Sequence, residues 1–321
     1  MGILQVGLFG SVRVTHNGWI SESQLTRENQ RLLAYLLLQR QKLHSREVLA
    51  GMFWGEYRPD RARGSLNTAL WKIKKVLEPD GIPSGTYLKN SHAGKVGFNR
   101  DSPYWLDIQV FEDEIDRILI KPFQTVEKTH ILELEKVLGL YKGDLLEGFY
   151  QDWALRERER LRSLYVKSLI YLLQYYGFHR AFHESVTYAE QILDLDPLRE
   201  DVHREIMRLH LENGQRALAI RQYEICCATL EKELGIFPME DTQALYHQIL
   251  TTGNNRNGSS TFSQERTSFE EALRQLKEAS QAIDLAKEQV QQALQLMAKY
   301  PEIYDKSFMS KPSENEGTTI H

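Results

Sequence analysis

The sequence predicts a mainly α protein: a small N-terminal α+β module, then an all-α helical repeat, then one long C-terminal helix. Three observations carry this expectation. Strand-like alternation is concentrated in the first hundred residues, helix-period apolar spacing with Gly and Pro punctuation continues to residue 250, and a strict heptad runs from Phe269 to Met297. A chain of 321 residues with 41% apolar content is long enough for two ordinary domains. No apolar run approaches the ~18–20 residues of a membrane span, and no charged-then-apolar leader is expected at the start. The only cysteines, Cys226 and Cys227, are neighbours, a spacing that suits neither an ordinary disulfide nor a zinc cage. A reducing, cytoplasmic setting is expected.

Charge divides the chain. Residues 1–103 hold 15 basic and 8 acidic side chains, a net of +7, whereas the remainder carries −11. That asymmetry predicts a basic module that meets a polyanion and an acidic module that does not.

Within the basic module, residues 3–14 (ILQVGLFGSVRV) read as strand, turn and strand. A helix follows Thr26, and Leu32, Leu33, Leu36, Leu37 and Leu38 wrap it so widely that it is expected to be largely buried. Ser45 is a candidate N-cap for a second helix over 46–54, with Val48, Leu49, Met52 and Phe53 expected to face inward. Gly55 and Pro59 interrupt the chain, and Asp60 is a candidate cap for a third helix over 61–77.

This third helix is the most informative segment. Ala62, Leu66, Ala69, Leu70, Ile73, Val76 and Leu77 form one apolar stripe at helical spacing. The opposite face carries Gly64, Asn67, Thr68, Trp71, Lys74 and Lys75. A solvated helix back rarely spends a Trp among amide, hydroxyl and ammonium groups. Asn can pair with adenine edges, Thr and Trp can pack on thymine methyls or sugars, and lysines neutralise phosphates. The competing expectation is a lysine-rich solvated face with Trp71 resting on a neighbouring domain. Two short strands, 86–89 and 96–98, flank a Gly94-containing turn and form a basic hairpin with Lys89, His92, Lys95 and Arg100. Strand pair, three helices and basic hairpin is the layout of a winged helix, whose third helix enters the major groove.

These segments bear a specific likeness. RARGSLNTALWKIKKVLEP (61–79) and YLKNSHAGKVGFN (87–99) place residues 1–105 close to the OmpR-type winged-helix DNA-binding domain. WLDIQVFEDEI (105–115), YKGDLLEGF (141–149), DWALRERERL (152–161), LDPLREDVHREIM (195–207), ENGQRALAIRQYE (212–224) and ELGIFPMEDTQALYHQIL (233–250) resemble the bacterial transcriptional activator domain of the Streptomyces antibiotic regulatory protein (SARP) family. The resemblance covers about 250 residues in family order. It implies a bacterial, nucleoid-associated regulator that binds promoter double-stranded DNA, often at direct repeats, and recruits RNA polymerase. The implied DNA-contact set is Arg61, Arg63, Ser65, Asn67, Thr68, Trp71, Lys72, Lys74 and Lys75 on the helix with Lys89, His92 and Lys95 on the wing. One departure is that Trp71 and lysines stand where OmpR-type helices commonly carry arginines, so apolar and shape readout is expected to weigh more. With no receiver domain before the winged helix, phosphorylation in cis is not expected.

Residues 106–250 also read as repeating helices without reference to any family. Helices over 165–177 and 203–214 are expected to end at Gly177 and Gly214, each followed by a second helix (178–194 and 215–234) that stops near Pro197 or Pro238. The spacings of 37 and 41 residues make this a loose tetratricopeptide-like repeat. Tyr165, Tyr171, Tyr175 and Tyr176 are expected in core packing rather than a groove, and Arg156, Arg158, Arg160 and Arg162 on a solvated, ion-paired helix. Cys226 and Cys227 are expected as buried small hydrophobes.

A polar linker, 251–266, leads to the heptad over 267–300. Phe269, Leu276, Ile283, Val290 and Met297 alternate with Ala272, Ala279, Ala286 and Ala293 in an a/d seam expected to form a homodimer, with in-cis docking as the alternative. Residues 301–321 are expected to form a disordered tail. The sequence has no Walker loop, dinucleotide turn, zincin motif or nucleophile elbow, so neither catalysis nor a cofactor or metal is expected. The rival functional class is a protein-interaction adaptor whose winged helix binds protein.

Overall fold

The computed structural model describes residues 3–16, 19–20, 25–91 and 93–252. His92, the linker from 253 onward, the heptad positions Phe269 to Met297 and the tail lie outside the described residues. Thr251 and Thr252, expected in the linker, close the last described helix.

The alternating segment forms β1 (Leu4–Gly7) and β2 (Arg13–His16), and β2 pairs with β3 (Trp19–Ile20). β1 and β2 are antiparallel, with Val6 opposite Val14. A strand that sequence reasoning missed, β7 (Tyr104–Leu106), lies parallel to β1 and gives the sheet order β3-β2-β1-β7. Helices α1 (Arg27–Leu38), α2 (Arg46–Trp54) and α3 (Pro59–Leu77) follow the strand pair. A second, antiparallel sheet joins β4 (His44–Ser45), β6 (Lys95–Phe98) and β5 (Leu88–Asn90) in that order. The β5–β6 hairpin is the wing, and Gly94 turns it at φ +70, a conformation other L-residues rarely adopt. These elements form a winged helix.

Two expectations change here. Val48 and Met52 are 58% and 48% exposed; α2 instead buries Leu49, Ala50, Phe53 and Trp54. The face is turned by one residue because Trp54 and Phe53 bury more apolar surface than Val48 and Met52 can offer. The third helix begins two residues early, with Pro59 in its first turn, where a missing N–H costs nothing, and Arg58 at the cap position in place of Asp60.

The chain then becomes all helical: α4 (Asp107–Leu119), α5 (Lys128–Leu138), α6 (Asp152–Phe178), α7 (Phe182–Leu195), α8 (Glu200–Glu212), α9 (Arg216–Leu234) and α10 (Glu240–Thr252). α6 packs on α7, α7 on α8 and α8 on α9. The first of the expected helices does not end at Gly177, which lies inside α6; Arg180 takes the left-handed conformation instead, at φ 59. A Cβ at position 177 would sit 3.3 Å from Ser185 Oγ and 3.4 Å from Leu209 Cδ2, so this glycine serves close helix packing. Gly214, at φ +73, follows α8 as expected. α6 also starts at Asp152, thirteen residues before the expected Tyr165.

Residues through Ile249 form one compact unit; its main apolar core runs from Leu4 to Leu209, and a smaller one gathers Met207, Ala219 and Ile249. It crosses residue 105, where the two modules were expected to meet. Asp107, at the start of α4, accepts hydrogen bonds from the Leu8 and Phe9 backbone N–H groups at 2.8 and 3.0 Å. Phe9 bridges to Leu145, and Tyr35 of α1 meets Trp153 of α6 edge to face at 5.3 Å between centroids.

Candidate nucleic-acid interface

The seven apolar residues of the α3 stripe are all buried. They pack against α1 and α2, so burial of one face fixes which side chains the helix turns outward. Trp71 is 57% exposed on that outer side. Arg61, Arg63, Asn67, Thr68, Lys72 and Lys75 are exposed with it, while Ser65 and Lys74 are half-buried.

The outer side chains are partly organised by one another. Lys75 Nζ lies 4.7 Å from the centre of the Trp71 ring, a cation–π arrangement that holds ammonium and indole side by side. Thr68 Oγ1 donates to the Gly64 carbonyl at 3.0 Å. Lys74 turns aside: it donates to Ser84 Oγ and stands 3.9 Å from the Glu78 carboxylate. At the start of the helix, Arg61 lies over the Tyr57 ring at 4.6 Å and Arg63 is 3.9 Å from Asp60.

On the wing, Lys89 and Lys95 are both exposed. Lys89 pairs with Asp101 at 2.9 Å, and that bond holds the Asp101 carboxyl below its usual range. Among the described residues, Lys72 and Lys95 make no ion pair within 4 Å.

Two residues that sequence reasoning missed tie α3 to the wing. Arg46, first residue of α2, donates from Nη1 to Asn67 Oδ1 at 2.5 Å and from Nη2 to Asn90 Oδ1 at 2.9 Å. Glu78, the residue after α3, has a side chain only 1% exposed. Its carboxylate accepts the backbone N–H groups of Gly85, Tyr87 and Leu88 at 2.9, 2.8 and 3.1 Å. The helix and the hairpin are therefore held as one surface. Neither link has a sequence signal, because the partners are 7 to 44 residues apart and follow no period.

In the helical module the arginine series is not a uniformly solvated, ion-paired face. Arg158 donates to the carbonyls of Leu145, Leu146 and Phe149, and Arg162 to that of Leu195. Arg160 follows the expectation, pairing with Glu157 at 2.8 Å and with Glu112, and Arg156 is exposed. Tyr171 and Tyr175 are buried, and Tyr165 and Tyr176 half-buried, with Tyr165 stacked on Tyr141 at 4.3 Å. Cys226 is fully buried, which pushes its thiol up to about 12 and suppresses the reactive thiolate. Among the described residues no group of three or more His, Cys, Asp or Glu could hold a metal ion, and no helix is long and apolar enough to cross a membrane.

Residues 106–250 match the model of the bacterial transcriptional activator domain. The chain is 27% identical over 254 residues to the regulatory protein AfsR of Streptomyces coelicolor, covering 78% of this chain and 24% of that protein. It is 24% identical over 266 residues to the transcriptional regulatory protein MoaR1 of Mycobacterium bovis, covering 78% of this chain and 80% of that one. It thus spans about a quarter of the length of the AfsR proteins it matches. A solved structure, Mycobacterium tuberculosis EmbR in complex with a low affinity phosphopeptide, shares the fold: the TM-score is 0.60 at 19% identity, over 86% of this chain and 72% of that one.

Proposed function

We propose that this chain, whose residues 106–250 match the bacterial transcriptional activator domain and which is similar to the regulators AfsR and MoaR1, is a SARP-type transcriptional regulator that binds promoter double-stranded DNA by laying α3 in the major groove with the β5–β6 wing on the neighbouring backbone. The observation that carries this reading is the outer face of α3: an exposed indole, an amide and ammonium groups, linked through Arg46 and Glu78 to a basic hairpin. A helix in the major groove needs side chains free to reach base edges and cations aligned with the flanking phosphates. Asn67, Thr68 and Trp71 supply the first and Lys72, Lys75 and Lys95 the second; the proposed contact set also includes Arg61, Arg63, Ser65, Lys74, Lys89 and His92.

In this proposal residues 1–105 are the DNA-binding module and 106–250 the activator module, which contacts RNA polymerase through its helices. The protein is a regulator rather than a catalyst, and works in the bacterial cytoplasm. Self-association through Phe269, Leu276, Ile283, Val290, Met297 and the intervening alanines rests on the heptad alone. Deleting residues 253–321 and measuring the number of chains per particle by sedimentation tests it; an unchanged number rules it out.

The test of the central reading is the salt dependence of binding to duplex DNA. A protein that neutralises Z phosphates loses affinity with a slope of about −0.9Z in log salt. A slope of several units supports the reading. Absence of duplex binding at low salt overturns it and favours the adaptor.

A further inference from the structure

The hydrogen bonds of Arg46 determine more than the position of the wing. Arg46 can only donate, because a guanidinium carries five N–H groups and no acceptor. Each amide that meets it must therefore turn its oxygen toward Arg46 and its NH2 away. For Asn67 this orientation follows from the 2.5 Å contact itself, and for Asn90 from the 2.9 Å contact. Asn67 and Asn90 are exposed and therefore present their amino groups outward beside half-buried Arg46, with the exposed Glu47 carboxylate following Arg46 in the chain.

An unengaged asparagine pairs with adenine through both amide atoms, accepting from N6 and donating to N7. The Asn67 oxygen already accepts one hydrogen bond from a cation, and although it has a second lone pair, a donor such as the adenine amino group would approach a site that Arg46 makes electropositive. Guanine offers the opposite edge, N7 and O6, both acceptors and neither a donor. We infer that Arg46 sets the sequence preference of this protein, orienting Asn67 so that it reads a guanine rather than an adenine. The inference rests on the DNA-binding reading and assigns the base class that its recognition surface takes. Arg46 is here a positioning residue, acting through Asn67.

The experiment is selection of preferred sites from a pool of randomised duplexes by the full chain, repeated with Arg46→Met, Asn67→Ala and Asn67→Asp. Binding by wild type should fix a guanine at one position, which Asn67→Ala releases, a loss of discrimination of roughly 5- to 100-fold. Arg46→Met frees the Asn67 oxygen, so the same position should change from guanine to adenine rather than merely relax. Asn67→Asp keeps an acceptor for Arg46 but removes the amino donors, so guanine selection should be lost while the hairpin stays tied. Should Arg46→Met disturb the fold, the wild-type selection still decides, because an adenine at the Asn67-dependent position is incompatible with the orientation Arg46 imposes. An adenine at the Asn67-dependent position in wild type, or an unchanged guanine in Arg46→Met, overturns the inference and leaves DNA binding standing. Failure of wild type to bind any duplex overturns both.

Discussion

The Glu78 carboxylate receives the backbone N–H of Tyr87 at 2.8 Å and thereby fastens the C-terminal end of α3 to the first strand of the wing. Because the same carboxylate also takes the N–H groups of Gly85 and Leu88, no neutral isostere can replace it. Glu78→Gln presents an amino group to at least one of these donors. It should destabilise the basic module by about 1–3 kcal/mol, the cost of a buried donor left unpaired. Chemical denaturation monitored by circular dichroism checks this.

Charge on the outer helix face makes a second prediction. Lys72 and Lys75 are exposed, whereas Lys74 is engaged by Ser84 and Glu78. Changing Lys72 and Lys75 together to alanine should weaken binding to all duplexes alike and lower the salt slope by about two units, close to 0.9 per phosphate contact. Lys74→Ala should lower it less. Affinity measured by fluorescence anisotropy over a salt series separates the two.

Trp71 offers a third, because an indole 57% exposed contributes little to the core. Trp71→Ala should change stability by no more than about 0.5 kcal/mol, as surface substitutions usually do. Its effect should fall on which sites are bound. A large drop in thermal midpoint would place the indole in the folding core.

The fourth concerns pH. His203 is buried beside the Pro197 carbonyl and Gln222, at 3.1 and 2.7 Å, and burial holds its imidazole below the ordinary value. His44 is lowered for the same principal reason. The unfolded chain takes up protons near pH 6.5 while the folded chain resists them. Stability is therefore fully present above about pH 6.5 and declines as pH falls below it. Thermal midpoints should drop between pH 7 and pH 5.5, and His203→Asn should flatten part of that dependence.

Much of this structure is written in local pattern. The α3 stripe is legible because seven apolar residues fit one face over nineteen residues, leaving Trp71 no inward place. α2 is harder: in nine residues it has apolar side chains at 48, 49, 50, 52, 53 and 54, which fit two overlapping faces, and only tertiary packing selects the one with Trp54. The start of α6 is obscured by Arg156–Arg162, whose alternating charges conceal that Arg158 satisfies carbonyls of the loop before α6 and Arg162 the carbonyl of the last residue of α7. β7 is three residues long and exists because β1 lies beside it. Of the candidate interface, the helix residues are readable from spacing. The links made by Arg46 and Glu78 are not, because they join segments brought together only by folding.

The most direct test is photocrosslinking to a bound promoter duplex from a photoreactive side chain at position 71, with one at Leu132, exposed on α5, as the control. The account predicts crosslinks from position 71 to bases accessible in the major groove and none above background from position 132. Equal crosslinking from both positions, or none from position 71 while the duplex is bound, would contradict it.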